Sequence, residues 1–205
     1  MVFNPRFDGM IIIGLTGGVG MGKSTSASIL ARRGLPVVDT DELARQLVEP
    51  GQPALEEICK AFGAEVIDDA GELRRGEVAR AVFADPQKRK QLEAILHPRI
   101  RQCWLDQVGA WRAEGQRGAV VVIPLLFETG AAEQFTHIIC VACSSATQRA
   151  RLTQRGWTGE AINQRIASQW PIDKKIAASN FVIWTEGPLE VHDQQLGRIL
   201  DSLAL

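Results

Sequence analysis

Five short apolar runs mark the chain, at residues 10–16, 35–39, 119–123, 137–142 and 180–184. Each gives way to a segment whose apolar positions recur at helical spacing. The runs at 10–16 and 119–123 are continuous and mostly β-branched, as in strands buried on both faces of a parallel sheet. A helix is predicted over 24–33 with Ala27, Ile29, Leu30 and Ala31 inside it, closed by Gly34. Further helices are predicted at 147–155 and 159–169, and at 188–203, where Leu189, Leu196, Ile199, Leu200 and Leu203 supply the apolar positions. Strands alternating with helices in this way specify an α/β protein with a doubly wound parallel sheet.

Between the second and third runs the pattern changes. Residues 54–115 read as mostly helical, with no convincing strand. Leu55, Ile58, Cys59 and Phe62 share one helical face, and Asp68-Asp69-Ala70-Gly71 reads as a turn. Helices are predicted at 76–84 and 85–110, the second interrupted at His97-Pro98, because a residue before proline is pushed out of the α region. A kink there exposes His97. Two readings of this insertion stand side by side: a substrate-binding subdomain, or a helical layer covering the sheet.

Composition narrows the class. The 205 residues suffice for one domain, or one domain with insertions, around a sizeable core. A hydrophobic fraction of 45% and a charged fraction of 23% are those of an ordinary globular protein. The formal net charge of -1 gives no global basic signal for nucleic acid. No apolar run approaches the ~20 residues of a membrane span. The first ten residues carry Arg6 and Asp8 and lack a signal peptide's apolar segment. They read as a loose extension, and a cytoplasmic protein is expected. Cys140 and Cys143 form a C-x-x-C, but residues three apart in a strand point to opposite faces and no second Cys/His pair completes a zinc site. With Cys59 and Cys103 they read as small apolar residues of a reduced protein.

The chemistry is concentrated in Gly17-Gly18-Val19-Gly20-Met21-Gly22-Lys23-Ser24-Thr25, between the first strand and the first helix. This is the full G-x-x-x-x-G-K-[ST] pattern of a phosphate-binding loop in its proper context. Glycines let the backbone curl so that successive N–H groups face a polyphosphate, and the following helix adds the positive end of its dipole. Lys23 is expected on the β/γ-phosphates and the Ser24 hydroxyl on Mg²⁺. The motif specifies a nucleoside triphosphate without specifying where the phosphate goes.

Other polar residues qualify the picture. Asp39 and Glu42 make a capping-box-like pair for a helix starting near residue 40, so Asp39 is either a cap or a functional carboxylate. Asp41 is not needed for capping. Beyond the carboxyl end of a parallel strand it is free to act as a base, or it only favours the helix dipole. No Asp follows the third strand. Glu128 is the nearest carboxylate, so Asp39, Asp41 or Glu128 is left to support the metal. Arg151 and Arg155, four apart in a helix that also carries Arg149, repel unless an anion bridges them, and otherwise form a solvated basic face. Two short Arg-rich helices joined by a turn suit a lid that excludes water from ATP.

Several motifs then occur in one order: the loop within Gly14-Leu15-Thr16-Gly17, Val38-Asp39-Thr40-Asp41, Ala44-Arg45, Leu96-His97-Pro98, Pro124-Leu125-Leu126-Phe127-Glu128, and the Gln148 to Arg155 stretch. Together they resemble the dephospho-coenzyme A kinase family over nearly the whole chain from Met10. The resemblance implies a P-loop NTPase fold, a three-layer α/β/α with a five-stranded parallel sheet, a helical acceptor-binding insertion and a helical lid. The implied division is a nucleotide-binding core (10–53, 116–143 and 178–205), an acceptor subdomain (54–115) and a lid (144–177). It implies ATP-dependent phosphorylation of the ribose 3′-hydroxyl of dephospho-coenzyme A, the last step of coenzyme A synthesis, with Mg²⁺ and with neither nucleic acid nor membrane as partner.

By the same resemblance Asp41 is the base, aided by Lys23 and Arg151. ATP falls to Gly18, Val19, Gly20, Met21, Gly22, Lys23, Ser24, Thr25, Arg151 and Arg155. The acceptor falls to Thr16, Asp41, Arg45, His97, Arg101 and Glu128, and the metal to Ser24. Gln169 and Lys175 match polar lid-side positions. Two departures stand out. The family's usual Asp-x-Val-Ile-Asp-Asn is here Asn180-Phe181-Val182-Ile183-Trp184-Thr185, which puts in question any adenine or lid contact made there. Met21 replaces the preferred Ser, with little loss expected because its backbone N–H is what the phosphate needs. Rival readings are another small-molecule kinase of the same architecture, a nucleotide-dependent switch or ATPase, and a nucleic-acid binder using the lid arginines.

Overall fold

The computed structural model describes residues 9–205; the rest of the predicted N-terminal extension lies outside the described residues. Strands β1 (Ile11–Gly17), β2 (Val37–Asp39), β3 (Gly118–Val122), β4 (His137–Ala142) and β5 (Phe181–Trp184) form one five-stranded parallel sheet in the order β2-β3-β1-β4-β5. Each lies within two residues of its apolar run. β1 is central, with Leu15 opposite Val122 of β3 on one side and Ile139 of β4 on the other.

The period of two sorts the core. Ile13, Leu15, Val120, Val122, Ile139, Val141 and Ile183 turn to one face. There they meet Ile29 and Leu30 of α1 (Lys23–Arg32) and Leu196, Ile199 and Leu200 of α9 (Leu189–Ser202). Truncating a fully buried member such as Leu15 or Ile139 to alanine costs about 2–5 kcal/mol. Ala142, one residue on from Val141, points to the opposite face. It packs with Cys143 and Met21 against Ile172 and Ile176 of α8 (Ile172–Ala177). Between β4 and α8 lie α6 (Ser145–Gln154) and α7 (Gly159–Ala167). Ser144 caps α6 and Thr158 caps α7 through their side chains.

The chain divides into two compact units, one of residues 9–38 with Gly109–Leu205, the other Asp39–Val108. The second begins with α2 (Thr40–Gln46); there α3 (Pro53–Phe62), α4 (Arg75–Ala84) and the 92–96 stretch of α5 (Pro86–Ala113) pack around a core of Val48, Leu55, Ile58, Phe62, Val66 and Val78. The turn at residues 68–71 forms as expected: Asp68 Oδ1 accepts from the N–H groups of Ala70 and Glu72, flanked by a single bridge between Ile67 and Leu73.

Three local expectations need correction. The break at Pro98 does not occur, since α5 is one 28-residue helix running through it. Proline removes one N–H and crowds the preceding turn. The N–H it removes is the one that would bond the Ala94 carbonyl; one residue on, the Arg99 guanidinium donates to the Ile95 carbonyl at 2.7 Å and pairs with Glu57 at 2.6 Å. His97 is nevertheless exposed. At the start of α2 only half of the capping box forms: Asp39 Oδ1 accepts from the Asp41 N–H at 2.8 Å, whereas Glu42 pairs with Arg45 at 3.2 Å. The third is α8, a short helix absent from the sequence reading. Among the described residues no helix is long and apolar enough to cross a membrane.

Candidate functional site

The loop between β1 and α1 is shaped by glycine at both ends. A Cβ on Gly17 would sit 2.1 Å from the Val141 carbonyl oxygen, so only glycine lets β1 pass that close to β4. Gly22 is left-handed (φ 98°, ψ 17°) and serves as the N-cap of α1, with no side chain capping the helix and no acidic residue in its first turn. The terminus therefore keeps its dipole and first-turn N–H groups for an anion. Ser24 and Thr25 stand exposed in that turn. Lys23 Nζ lies back across the loop, donating to the Gly17 and Gly18 carbonyls, both at 2.9 Å.

Side chains from the C-terminal half of the chain hold the outer side of the loop. The Val19 N–H donates to Gln169 Oε1 at 3.0 Å, and the Val19 carbonyl accepts from Nε2 of buried Gln148 at 2.8 Å. The Met21 carbonyl accepts from the Thr185 hydroxyl at 3.0 Å. The Gly22 carbonyl accepts from the Ser26 hydroxyl at 3.2 Å, so that hydroxyl takes its bond with His192 Nε2, at 2.8 Å, as the acceptor. Burial, with the nearby Arg151 charge, holds the His192 imidazole below its ordinary pKa against the opposing pull of Asp193. The Met21 side chain is 2% exposed inside the small cluster against α8. Its role thus extends beyond the backbone N–H to which the sequence reading confined it.

The two arginines expected at the phosphates are placed differently. Arg151 is half-buried on α6 and grips Thr185: Nη1 donates to the hydroxyl at 2.9 Å and Nη2 to the carbonyl at 2.6 Å. Arg155 is the exposed C-cap of α6. Arg149 ties α6 to α7 through Asn163 at 2.7 Å. Both departures at the end of β5 have structural consequences. Trp184 is exposed, and its backbone N–H and C=O pair with the Gln195 amide of α9. Thr185 is buried and joins the loop to Arg151. Just beyond, Glu186 accepts from the Ser144 N–H and the Thr147 hydroxyl at the start of α6. Hydrogen bonds from Ser144 and Thr147 bring its carboxyl down to about 2.

At the carboxyl end of β3, Thr16 is fully buried and its hydroxyl donates to the Pro124 carbonyl at 3.3 Å. Lys175, also fully buried, donates to the same carbonyl and to Glu128 Oε1, both at 2.8 Å. Glu128 Oε1 accepts as well from the Trp170 N–H at 2.7 Å, while Oε2 is buried without a partner. Burial pushes the Glu128 carboxyl up, but the Lys175 and Trp170 bonds prevail and it lies below the ordinary carboxylate value. Phe127 stacks on Trp170 at 5.6 Å, and Lys174 Nζ stands 3.4 Å from the centre of the same ring.

The remaining predicted residues belong to the helical unit. Asp41 is exposed in the first turn of α2, two residues beyond the end of β2, with Arg45 exposed one turn later. Burial raises the Asp39 pKa, partly offset by the bond from Asp41 N–H, and the Asp41 charge raises it further. His97 and Arg101, both exposed, are one turn apart on α5, whose Leu92, Ile95 and Leu96 pack on that unit's core. Among the described residues no group of three or more His, Cys, Asp and Glu side chains could hold a metal. Mg²⁺ does not need one: it keeps several waters and is commonly held by substrate phosphates with one or two protein oxygens, a donor set that the Ser24 hydroxyl fits. All four cysteines are free thiols, and burial brings Cys140 up to about 11, which suits an inert core residue.

Comparison with known proteins gives the family. The family model CoaE, dephospho-CoA kinase, matches residues 11–190. The dephospho-CoA kinase of Anaeromyxobacter dehalogenans is 43% identical over 195 residues, covering 95% of this chain and 92% of that protein. Among solved structures, TT1252 from Thermus thermophilus superposes with a TM-score of 0.84 at 33% identity, covering 95% of this chain and 98% of that one. Dephospho-CoA kinase from Campylobacter jejuni superposes with a TM-score of 0.70 at 25% identity, covering 94% and 96%. The chain belongs to the dephospho-CoA kinase family, and it is an enzyme that phosphorylates dephospho-CoA with ATP.

Proposed function

We propose that this kinase transfers the γ-phosphoryl group of ATP in line to the ribose 3′-hydroxyl of dephospho-CoA, with Asp41 as the acceptor's base. The hydroxyl oxygen forms the new bond to phosphorus as the bond to the β,γ-bridging oxygen breaks. The hydroxyl proton passes to an Asp41 carboxylate oxygen, and ADP carries away the electron pair. A carboxylate is a weak base for a ribose hydroxyl, so Asp41 acts chiefly by orienting it. Loop N–H groups between Gly18 and Thr25, apart from that of Val19, which Gln169 holds, and that of Met21, which turns to the Gly18 carbonyl, face the charge that spreads over the γ-phosphoryl oxygens together with Lys23 and Arg151. Ser24 would hold Mg²⁺, which when bound supplies charge neutralisation at the phosphates. Arg45, His97, Arg101 and Glu128 orient the acceptor, residues 54–115 form its subdomain and residues 144–177 the lid.

The observation that carries this reading is the polarity of the loop. The outward peptide groups of Val19, Met21 and Gly22 are occupied by side chains, while the terminus of α1 is uncapped. The test is product formation from ATP with dephospho-CoA beside adenosine, AMP and a no-acceptor control, the new phosphate being located by phosphorus NMR. A 3′-phosphate with little hydrolysis in the control is expected. Asp41→Asn should lower turnover at least about a hundredfold with ATP binding nearly unchanged. Near-normal turnover in that variant would remove Asp41 from the mechanism, and no transfer to dephospho-CoA by the wild-type protein would overturn the acceptor.

A further inference from the structure

We infer that Thr185 is a positioning residue for ATP, acting through Arg151 and Met21. Its side chain is 5% exposed and its hydroxyl makes two bonds at once, donating to the Met21 carbonyl at 3.0 Å and accepting from Arg151 Nη1 at 2.9 Å. Its carbonyl accepts from Nη2 of the same guanidinium at 2.6 Å. Its own N–H is tied to the Ala142 carbonyl at 2.8 Å, so it is fixed to the end of β4. A Cβ on Gly22 would come within 3.3 Å of the Thr185 methyl group, which places the methyl against the last glycine of the loop.

Thr185 therefore joins three parts of the nucleotide machinery. A planar guanidinium held at two nitrogens by one residue has lost its rotational freedom, and its remaining N–H groups keep a fixed direction. The same hydroxyl sets the plane of the Met21–Gly22 peptide, whose N–H belongs to the run that faces phosphate. A cation and a peptide dipole aimed at one polyphosphate are thus indexed to each other by a single oxygen. Threonine suits the task because its hydroxyl can donate and accept together, while its methyl fills the space beside Gly22.

The inference rests on the proposed role of Arg151 at the phosphates, and a double-mutant cycle separates the two. Thr185→Val keeps the shape and removes the hydroxyl, Thr185→Ser keeps the hydroxyl, and Arg151→Ala removes the cation. KM for ATP, KM for dephospho-CoA, kcat and the thermal midpoint are measured for each variant and for Thr185→Val/Arg151→Ala. Thr185→Val should raise KM for ATP roughly tenfold, the scale of one hydrogen bond to a charged group, with KM for dephospho-CoA unchanged. Thr185→Ser should restore most of it. In the Arg151→Ala background the valine should add less than about threefold, because the group it positions is gone.

A lowered midpoint with an unchanged KM for ATP would reduce Thr185 to a structural residue. Full additivity with Arg151→Ala would overturn the coupling. An Arg151→Ala enzyme with normal ATP kinetics would remove the reading of Arg151 itself, and this inference with it. Should Thr185→Val not fold, Thr185→Ser against wild type still decides: a serine enzyme with the full tenfold loss is incompatible with a hydroxyl-borne role.

Discussion

Breaking the Glu128–Lys175 pair from one side should cost far more than removing it altogether. The Lys175 side chain is 0% exposed and that of Glu128 15%, with 2.8 Å between Nζ and Oε1. Lys175→Met keeps most of the buried stem but leaves the carboxylate with the Trp170 N–H at Oε1 and nothing at buried Oε2. Glu128→Gln keeps an acceptor for Trp170 but leaves the ammonium with a neutral partner and the Pro124 carbonyl. Each change strands one buried charge, a loss of about 3–5 kcal/mol, whereas exchanging a buried pair for neutral groups of similar volume is often close to neutral. In a chain of this size each kcal/mol moves the thermal midpoint by about 2–4 °C, so the single variants should melt ~6–20 °C early. Glu128→Gln/Lys175→Met should lie within about 4 °C of wild type. The assay is thermal and urea unfolding at pH 7 followed by circular dichroism and tryptophan fluorescence, analysed as a double-mutant cycle. Glu128 has a folded-state pKa below its ordinary value, so its share of the stability is present above that value and is lost as pH falls through the lowered one. The coupling should accordingly shrink below about pH 4. Losses that simply add in the double variant would refute the reasoning.

Two further expectations concern the outer side of the loop. His192 is held below its ordinary pKa, so on acidification the unfolded chain takes the proton first. Its stability is complete above about pH 6.5 and falls as pH drops from there toward the lowered value, and His192→Gln should flatten the slope of urea midpoints between about pH 5 and 6.5. An equal slope in both proteins would place the proton uptake elsewhere. Gln148→Leu removes the donor to the Val19 carbonyl, and should weaken binding of a fluorescent ATP analogue about five- to tenfold in equilibrium titration. An unchanged Kd would mean that Val19 needs no such support.

The parts legible in the sequence are those whose cause is local. A buried parallel strand announces itself as a β-branched run, so residues 119–123 located β3 to within a residue. The phosphate loop is one contiguous motif, and the Asp39 cap is set by its neighbours. The side chains that hold the loop were out of reach for the opposite reason. Gln169 lies 150 residues from Val19, Thr185 lies 164 from Met21 and His192 lies 166 from Ser26, and no spacing rule links them. The resemblance brought Gln169 and Lys175 into view as positions without roles. It marked Thr185 as a departure, although that residue contacts both the loop and Arg151. Pro98 misled because local propensity favours a break, while the bonds that Arg99 makes to Ile95 and Glu57 are tertiary or side-chain facts. At six residues, α8 is too short for periodicity to detect, and its buried lysine disguises its inward face.

The outer scaffold also explains how so glycine-rich a loop is ready before nucleotide arrives. Fixing residues 18–22 costs about 1–2 kcal/mol each in backbone entropy, or roughly 5–10 kcal/mol, with glycine at the high end. Against this stand six side-chain hydrogen bonds, from Lys23, Gln148, Thr185 and Ser26 to loop carbonyls and from the Val19 N–H to Gln169, at about 1 kcal/mol apiece. Burial of Met21 adds about 2 kcal/mol. The two sides agree within a few kcal/mol, so the loop holds its shape without a phosphate to organise it. The binding energy of the phosphates is then free to act on the charge of the transferring group. Polyalanine-like simplification of the outer side would leave the motif intact and shift that ordering cost onto ATP. The Met21 side chain and the Thr185 hydroxyl, two of the positions that the resemblance marks as departures, both lie on that outer side. The inward face of the loop can stay as the phosphate chemistry requires while the scaffold behind it changes, provided the carbonyls remain paired and the apolar space remains filled.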